Sequence, residues 1–299
     1  KVVTISELLG KRFNNQTRLI SAIVTAIYTL MIVVTQIIGM GSIIKVLLGW
    51  NVVASMLVGG GIVLFYTILG GMWSVSITDI IQFAVMTVGI FFIMLPLSYF
   101  KAGGMGNLIS ELPHSYFSLT NIGWGQIFQY FLLYFFGLIV SQDVWQRVLT
   151  AKNMKTASKS TTFAGVYSIL YAIAVAMIGM CAAVILPNLA NADNVFANLA
   201  VTLLPSGALG LILACLCSAL MSTASGGLIA SSTLLSNDII KGFFFPNMSD
   251  KQFITVSRMT TFVLGLIAIV FALWIKQILV ALDVAYAILS GAIFIPLIF

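Results

Sequence analysis

The stretch Ser218-Ala219-Leu220-Met221-Ser222-Thr223-Ala224-Ser225-Gly226-Gly227 sits in the middle of residues 208–240, an apolar run with no charge before Asp238. A run of this length and character reads as a membrane-spanning helix, for which about 20 mostly apolar residues suffice. The quoted stretch then falls near the bilayer midplane, about 10–15 residues from the start of the run at 1.5 Å per residue. Ala219, Ser222 and Thr223 are spaced i, i+3 and i+4 and so share a helix face. Two hydroxyls beside one loosened backbone carbonyl form a compact set of neutral oxygens, which suits a small hard cation such as sodium. Ser225 extends the same stripe. Taken alone, the stripe reads first as close helix packing, because Gly, Ala, Ser and Thr let helices approach.

The rest of the chain supports a membrane reading. Hydrophobic residues make up 61% of its 299 positions and charged residues 7%, with a mean hydropathy of +1.12. Soluble domains carry about 25% charged residues, so a water-facing surface is excluded. Eight apolar runs stand out, at 17–47, 52–73, 77–100, 123–146, 161–187, 208–240, 256–275 and 278–299. They form one transmembrane transporter-like domain over residues 1–299. The chain opens on Lys1 and stops at Phe299 inside an apolar run, and both ends are read as truncated. With residues 1–18 placed in the cytoplasm, eleven Lys and Arg fall in inside loops, and only Lys45, Lys101 and Lys276 fall outside. That asymmetry follows the positive-inside rule and accounts for the net charge of +6 without nucleic acid. The outer segment 188–207 predicts a short amphipathic helix from Val195 to Leu204, read either as a lid or as an ordinary interfacial loop.

Polar groups inside spans are costly and therefore candidates for function. Asp79, at the inner start of the third span, either neutralises a cation or caps a helix. Ser141-Gln142-Asp143-Val144-Trp145-Gln146-Arg147 closes the fourth span. Its Gln142 and Gln146, one turn apart, can offer amides to a solute and Trp145 can gate an exit, although Asp143 and Arg147 at i, i+4 also fit a local ion pair. Gln36 is a lone amide deep in the first span, and either meets a solute or bridges two helices. Asp283 fits a pair with Lys276. Gly59-Gly60-Gly61 and Gly70-Gly71 allow tight crossing or a bend. Cys181, Cys215 and Cys217 are packing residues and make no metal set. No P-loop, HExxH, nucleophile elbow or dinucleotide fingerprint is present, so no enzyme activity is expected.

Four blocks resemble the sodium:solute symporter family, which includes sodium/proline, pantothenate and sodium/sugar symporters. They are Ile5 to Phe13; Tyr66 to Trp73 followed by Thr78-Asp79-Ile80-Ile81-Gln82; Gln146-Arg147 with Ala151-Lys152; and Ala219 to Thr223 running on to Ser231-Ser232 and Asn237-Asp238-Ile239. Their order and spacing are more specific than any one block. The resemblance implies an all-α polytopic membrane protein with a LeuT-type inverted-repeat fold, partial here as core helices 3–10. It implies a main sodium site on the Ala219 carbonyl and the Ser222 and Thr223 hydroxyls. A second site, found in some members, would use Asp79, Ser222 and Ser225, with Gly226 standing where some of those members carry a hydroxyl. Ser141 and Gln142 align near a solute-contacting segment. The implied activity is sodium-coupled secondary active symport of a small organic solute. Na+ is the coupling ion, the lipid bilayer the surroundings, and a bacterial-type plasma (inner) membrane the location. The alternatives are a sensor or channel-like protein on the same scaffold and a proton-coupled transporter.

Overall fold

Capping chemistry written in the sequence starts and stops the helices. A computed structural model describes residues 3–189, 194–275 and 277–294, and over these the chain is helical with short connections. Thr4 caps α1 (Ile5–Arg12) by accepting from the Glu7 N–H at 3.0 Å. Asn14 caps α2 (Asn15–Leu48) through the Thr17 N–H at 2.8 Å, and Gly49 closes that helix in the left-handed region at φ 70°. Asn51 caps α3 (Val52–Lys101), and Asn153 caps α6 (Met154–Ile185). Each cap satisfies an amide that the first turn leaves without a partner.

The remaining helices are α4 (Gly104–Glu111), α5 (Trp124–Leu149), α7 (Val195–Leu203), α8 (Ser206–Phe244), α9 (Asp250–Ile275) and α10 (Ile278–Leu289). Among the described residues, six helices are long and apolar enough to cross a membrane: α2, α3, α5, α6, α8 and α9. A helix of α3's length would reach about 75 Å if straight, more than twice the roughly 30 Å hydrocarbon core. It is broken at Gly71, where φ is 54° and ψ is −151°, a conformation open in practice only to glycine. The neighbouring Gly70 is equally constrained, because a Cβ there would lie 1.9 Å from that of Ser74. The runs expected at 52–73 and 77–100 therefore meet at this break with no loop between them. The run expected at 278–299 is described as far as Phe294, first as α10 and then as a π-helical turn, Ser290–Phe294. Residues 295–299 lie outside the described residues, as does Lys276, the expected partner of Asp283.

The centre of the bundle is α2, buried on all sides from Tyr28 to Thr35, as befits a helix that is apolar all round. It packs against α8, α3, α10, α1 and α9. Glycines set the closeness: a Cβ on Gly227 would lie 3.0 Å from the Thr29 carbonyl, and one on Gly60 2.8 Å from Ile269. At the periphery, α6 presents Phe163, Val166, Ile169 and Ile173 outward, and Trp73, Phe100 and Trp274 are likewise exposed. An apolar exterior of this kind belongs in lipid. The helix expected at Val195–Leu204 forms as α7 and seats Leu199 fully inside. The segment between the runs at 77–100 and 123–146 contains the short α4, entered through Gly103 and Gly104 at positive φ.

Candidate functional site

The small-residue stripe of α8 faces three other helices, and the polar groups gather there. The Ser222 hydroxyl donates to Asp79 Oδ1 at 2.7 Å, and Ser225, fully buried, donates to the Ser222 carbonyl at 3.2 Å. One residue along, the Thr223 hydroxyl donates to the Ala219 carbonyl at 3.4 Å. The structure thus brings together Asp79, Ser222 and Ser225, and keeps Ala219 and Thr223 within the same turn. Tyr66, from the first half of α3, donates to the Met221 carbonyl at 3.0 Å and ties that helix to the stripe.

Asp79 is not a helix cap. It lies a full two turns past the Gly71 break, inside continuous helix. Its partner is a cation supplied by α5. Arg147 Nη2 donates to Asp79 Oδ2 at 3.2 Å and to the Ser222 carbonyl at 3.1 Å, while Nη1 donates to the Asp143 backbone carbonyl at 3.4 Å. The expected Asp143–Arg147 side-chain pair is replaced by this longer-range bridge, and the Asp143 carboxylate accepts instead from the Ser141 hydroxyl. Gly226 makes the approach possible: a Cβ there would lie 2.5–2.9 Å from the guanidinium atoms of Arg147.

A break in α5 aims Arg147 inward. Val140 leaves helical geometry and Ser141 is extended, with ψ 119°, before a new segment, Gln142–Leu149, begins. From that segment Gln146 reaches Thr233 of α8 at 3.2 Å. Gln142, fully buried, turns the other way. Its Oε1 accepts from the Ile5 N–H at 2.9 Å and its Nε2 donates to the Val3 carbonyl at 3.3 Å. The candidate solute contact is therefore a clamp on the start of α1 in this conformation. The Trp145 indole donates to the Ile139 carbonyl across the α5 break. Ser141 bonds Tyr28 at 3.1 Å, beneath a tyrosine cluster in which Tyr286 packs on both Tyr28 and Tyr134. Asp283 accepts from Tyr134 at 3.0 Å.

Gln36 is placed by register. On α2, Gly39 meets Leu220 of α8, while Thr29 and Val33 meet Gly227. The two helices run antiparallel, so Gln36, one turn from both Val33 and Gly39, lies level with Thr223. It is half-buried and donates to the Thr35 hydroxyl at 2.9 Å.

Sequence reasoning missed two couplings. One is Arg147 with Asp79; the other is the ion pair of Arg18 with Asp238, whose side chain is fully buried, at 2.7 Å. The signal was present in both cases, since a carboxylate inside an apolar helix needs a cation. The partners, 68 and 220 residues away along the chain, were beyond the reach of helical spacing.

Comparison with known proteins bears on the family and the fold. The family model described as the sodium:solute symporter family matches residues 1–299. The high-affinity proline transporter PutP of Bacillus subtilis (strain 168) is 25% identical, over 95% of this chain and 62% of its own length. The sodium/glucose cotransporter of Vibrio parahaemolyticus is 25% identical over 91% of this chain and 56% of its own. For sodium/glucose cotransporter 4 of Danio rerio the figures are 28%, 93% and 48%. The match thus spans about half to three fifths of the length of these three relatives. A solved structure of a Na+-coupled sialic acid symporter, in a substrate-bound outward-open state that reveals a novel Na+-site, superimposes with a TM-score of 0.79. It does so at 23% identity, covering 91% of this chain and 61% of that one. That likeness is one of fold: all-α, polytopic and LeuT-type, of which this chain is a part.

Proposed function

Since this chain belongs to the sodium:solute symporter family, and is an integral membrane protein, we propose that its complete protein carries out sodium-coupled symport of a small organic solute. The observation that carries the reading is the turn of α8 that sets the Ala219 carbonyl 3.4 Å from the Thr223 hydroxyl, next to the Ser222 hydroxyl. In an apolar helix, three neutral oxygens on one turn offer sodium a partial replacement for its hydration shell. Gln36, level with Thr223, is the solute-facing candidate best supported by position. Gln142 and Trp145 hold α1 and the α5 break in this conformation, and Ser141 belongs to the tyrosine cluster. Proton coupling through Asp79 is disfavoured, because that carboxylate is held by Arg147.

The eight runs serve as core helices 3–10, with residues 1–18 cytoplasmic, in a bacterial-type plasma membrane. Sodium shifts the carrier toward the outward-open state only as far as it binds that state better than the inward-open one. The test is sodium-dependent uptake by the full-length protein in proteoliposomes across a panel of small solutes, beside Ser222→Ala and Thr223→Ala. Removing one neutral oxygen ligand is expected to raise the sodium concentration for half-maximal uptake by roughly 10-fold or more, the equivalent of about 1.4 kcal/mol. Uptake that ignores sodium, or variants with unchanged sodium dependence, would sink the assignment.

A further inference from the structure

We propose that the guanidinium of Arg147 is a built-in cation that occupies the place a second sodium ion would take between Asp79 and the Ser222–Gly226 turn. The inference rests on the sodium-symport reading and asks how many ions the site can hold. Three features of the geometry point to it. First, two of the oxygens a cation beside Asp79 would use already accept from the guanidinium. Asp79 Oδ2 and the Ser222 carbonyl both accept from Arg147 Nη2, at 3.2 and 3.1 Å. Second, the guanidinium has a fitted seat. It lies against Gly226, where any side chain would put a carbon 2.5–2.9 Å from it. A hydroxyl-bearing residue at that position would supply another oxygen and exclude the arginine; glycine does the reverse. Third, Arg147 is anchored from behind by the Asp143 carbonyl at 3.4 Å, on the segment that restarts after the α5 break. It is therefore delivered by backbone geometry, not by a freely roaming side chain.

The electrostatic consequence is large. A guanidinium stays charged at every physiological pH, so Asp79 is neutralised permanently. A sodium ion about 4 Å from that charge would meet a repulsion that lowers its affinity by roughly a thousandfold at an intermediate effective dielectric. The symporter would then bind one sodium at the Ala219–Ser222–Thr223 turn and none beside Asp79. Its concentrating power would follow the first power of the sodium gradient, not the square. Replacing Arg147 with a neutral residue would leave a carboxylate, a carbonyl and two serine hydroxyls facing an open space, which is a cation site.

The experiment uses sodium alone as the probe. Equilibrium binding of radioactive sodium to the purified full-length protein is counted per molecule for wild type, Arg147→Gln, Arg147→Lys and Gly226→Ala. Wild type should bind about one ion and Arg147→Gln about two, a twofold rise read directly from saturation. Arg147→Lys keeps the charge and should stay at the wild-type count. Gly226→Ala, which crowds the guanidinium out of its seat, should gain an ion as Arg147→Gln does, and it keeps the test alive if the glutamine variant does not fold. Asp79→Asn added to either gaining variant should abolish the gain. The increment on displacing Arg147 tests this inference, and the wild-type count tests the parent reading. Two ions in wild type, or no gained ion in a folded displacing variant, would overturn the built-in cation. A wild type that binds none, with one ion gained on displacement, would uphold it and overturn sodium coupling at Ala219–Ser222–Thr223.

Discussion

Asp238 lies on α8 with a fully buried side chain, and its neutralisation depends on Arg18 of α2, through bonds of 3.1 Å from Nε and 2.7 Å from Nη2. Burying two charges is costly, but removing only one costs more, because the other remains buried and uncompensated. Arg18→Ala is therefore expected to destabilise the protein by about 3–5 kcal/mol. The check is the thermal midpoint in detergent, read by the loss of the monodisperse peak on size exclusion. A midpoint equal to that of wild type would show that Asp238 finds another partner. The same logic limits what can be read from residues alone. The sequence marked Asp79 as a charge in need of an explanation and offered a cap or a cation. Only the fold reveals that the cation is Arg147, because helical spacing relates neighbours on one helix and says nothing across three. Ser222 and Ser225 were legible as a stripe, since their spacing is local. The role of Gly226 was not, because an absent Cβ acquires meaning only from what fills the space.

At the scale of the element, the two glycines of Gly70-Gly71 were legible as a place where helix packing or direction changes, but which of these they do depends on backbone angles. Gly71 takes φ 54° and ψ −151° with nothing near its missing side chain, so the demand for glycine there is conformational and not steric. Gly61, on the same helix, is in ordinary helical geometry and likewise faces open space. The pair makes a controlled comparison. Gly71→Ala should cost about 1–3 kcal/mol by forcing a residue with a Cβ into a sparsely populated region. Gly61→Ala should be neutral or stabilising by up to about 1 kcal/mol through its better helix propensity. Thermal midpoints of the two variants decide the matter; equal effects would mean that the chain at Gly71 is not held in the angles described. The apolar runs could be read at all because hydropathy is a property of the whole run and needs no distant partner. The break within α5 at Val140–Ser141 went unread because no proline or glycine marks it: Ser141 leaves the helix to bond Tyr28 and Asp143, partners that tertiary structure provides.

For the whole molecule, the distribution of charge and the path of the chain make one joint prediction. An apolar exterior says that the bundle sits in lipid, but not which way up. The excess of Lys and Arg on one set of loops supplies the direction. If residues 1–18 are cytoplasmic, the segment holding Lys152, Lys155 and Lys159 is inside, and the segment between α3 and α5 is outside. Ser118 and Ser158 are exposed representatives of the two. A background lacking Cys181, Cys215 and Cys217, the free cysteines of the described residues, can carry a single cysteine at either place. In intact cells a membrane-impermeant thiol reagent should label Ser118→Cys and spare Ser158→Cys, and permeabilisation should make both react. The reverse pattern would invert the topology and place Arg147 and the start of α1 at the outer face. Equal labelling of both in intact cells would put an odd number of crossings out of account between residues 118 and 158, where α5 is the one long helix. Because the Arg147–Asp79 bridge lies just beyond that segment, the same result decides from which side an ion approaching Asp79 would first meet the guanidinium.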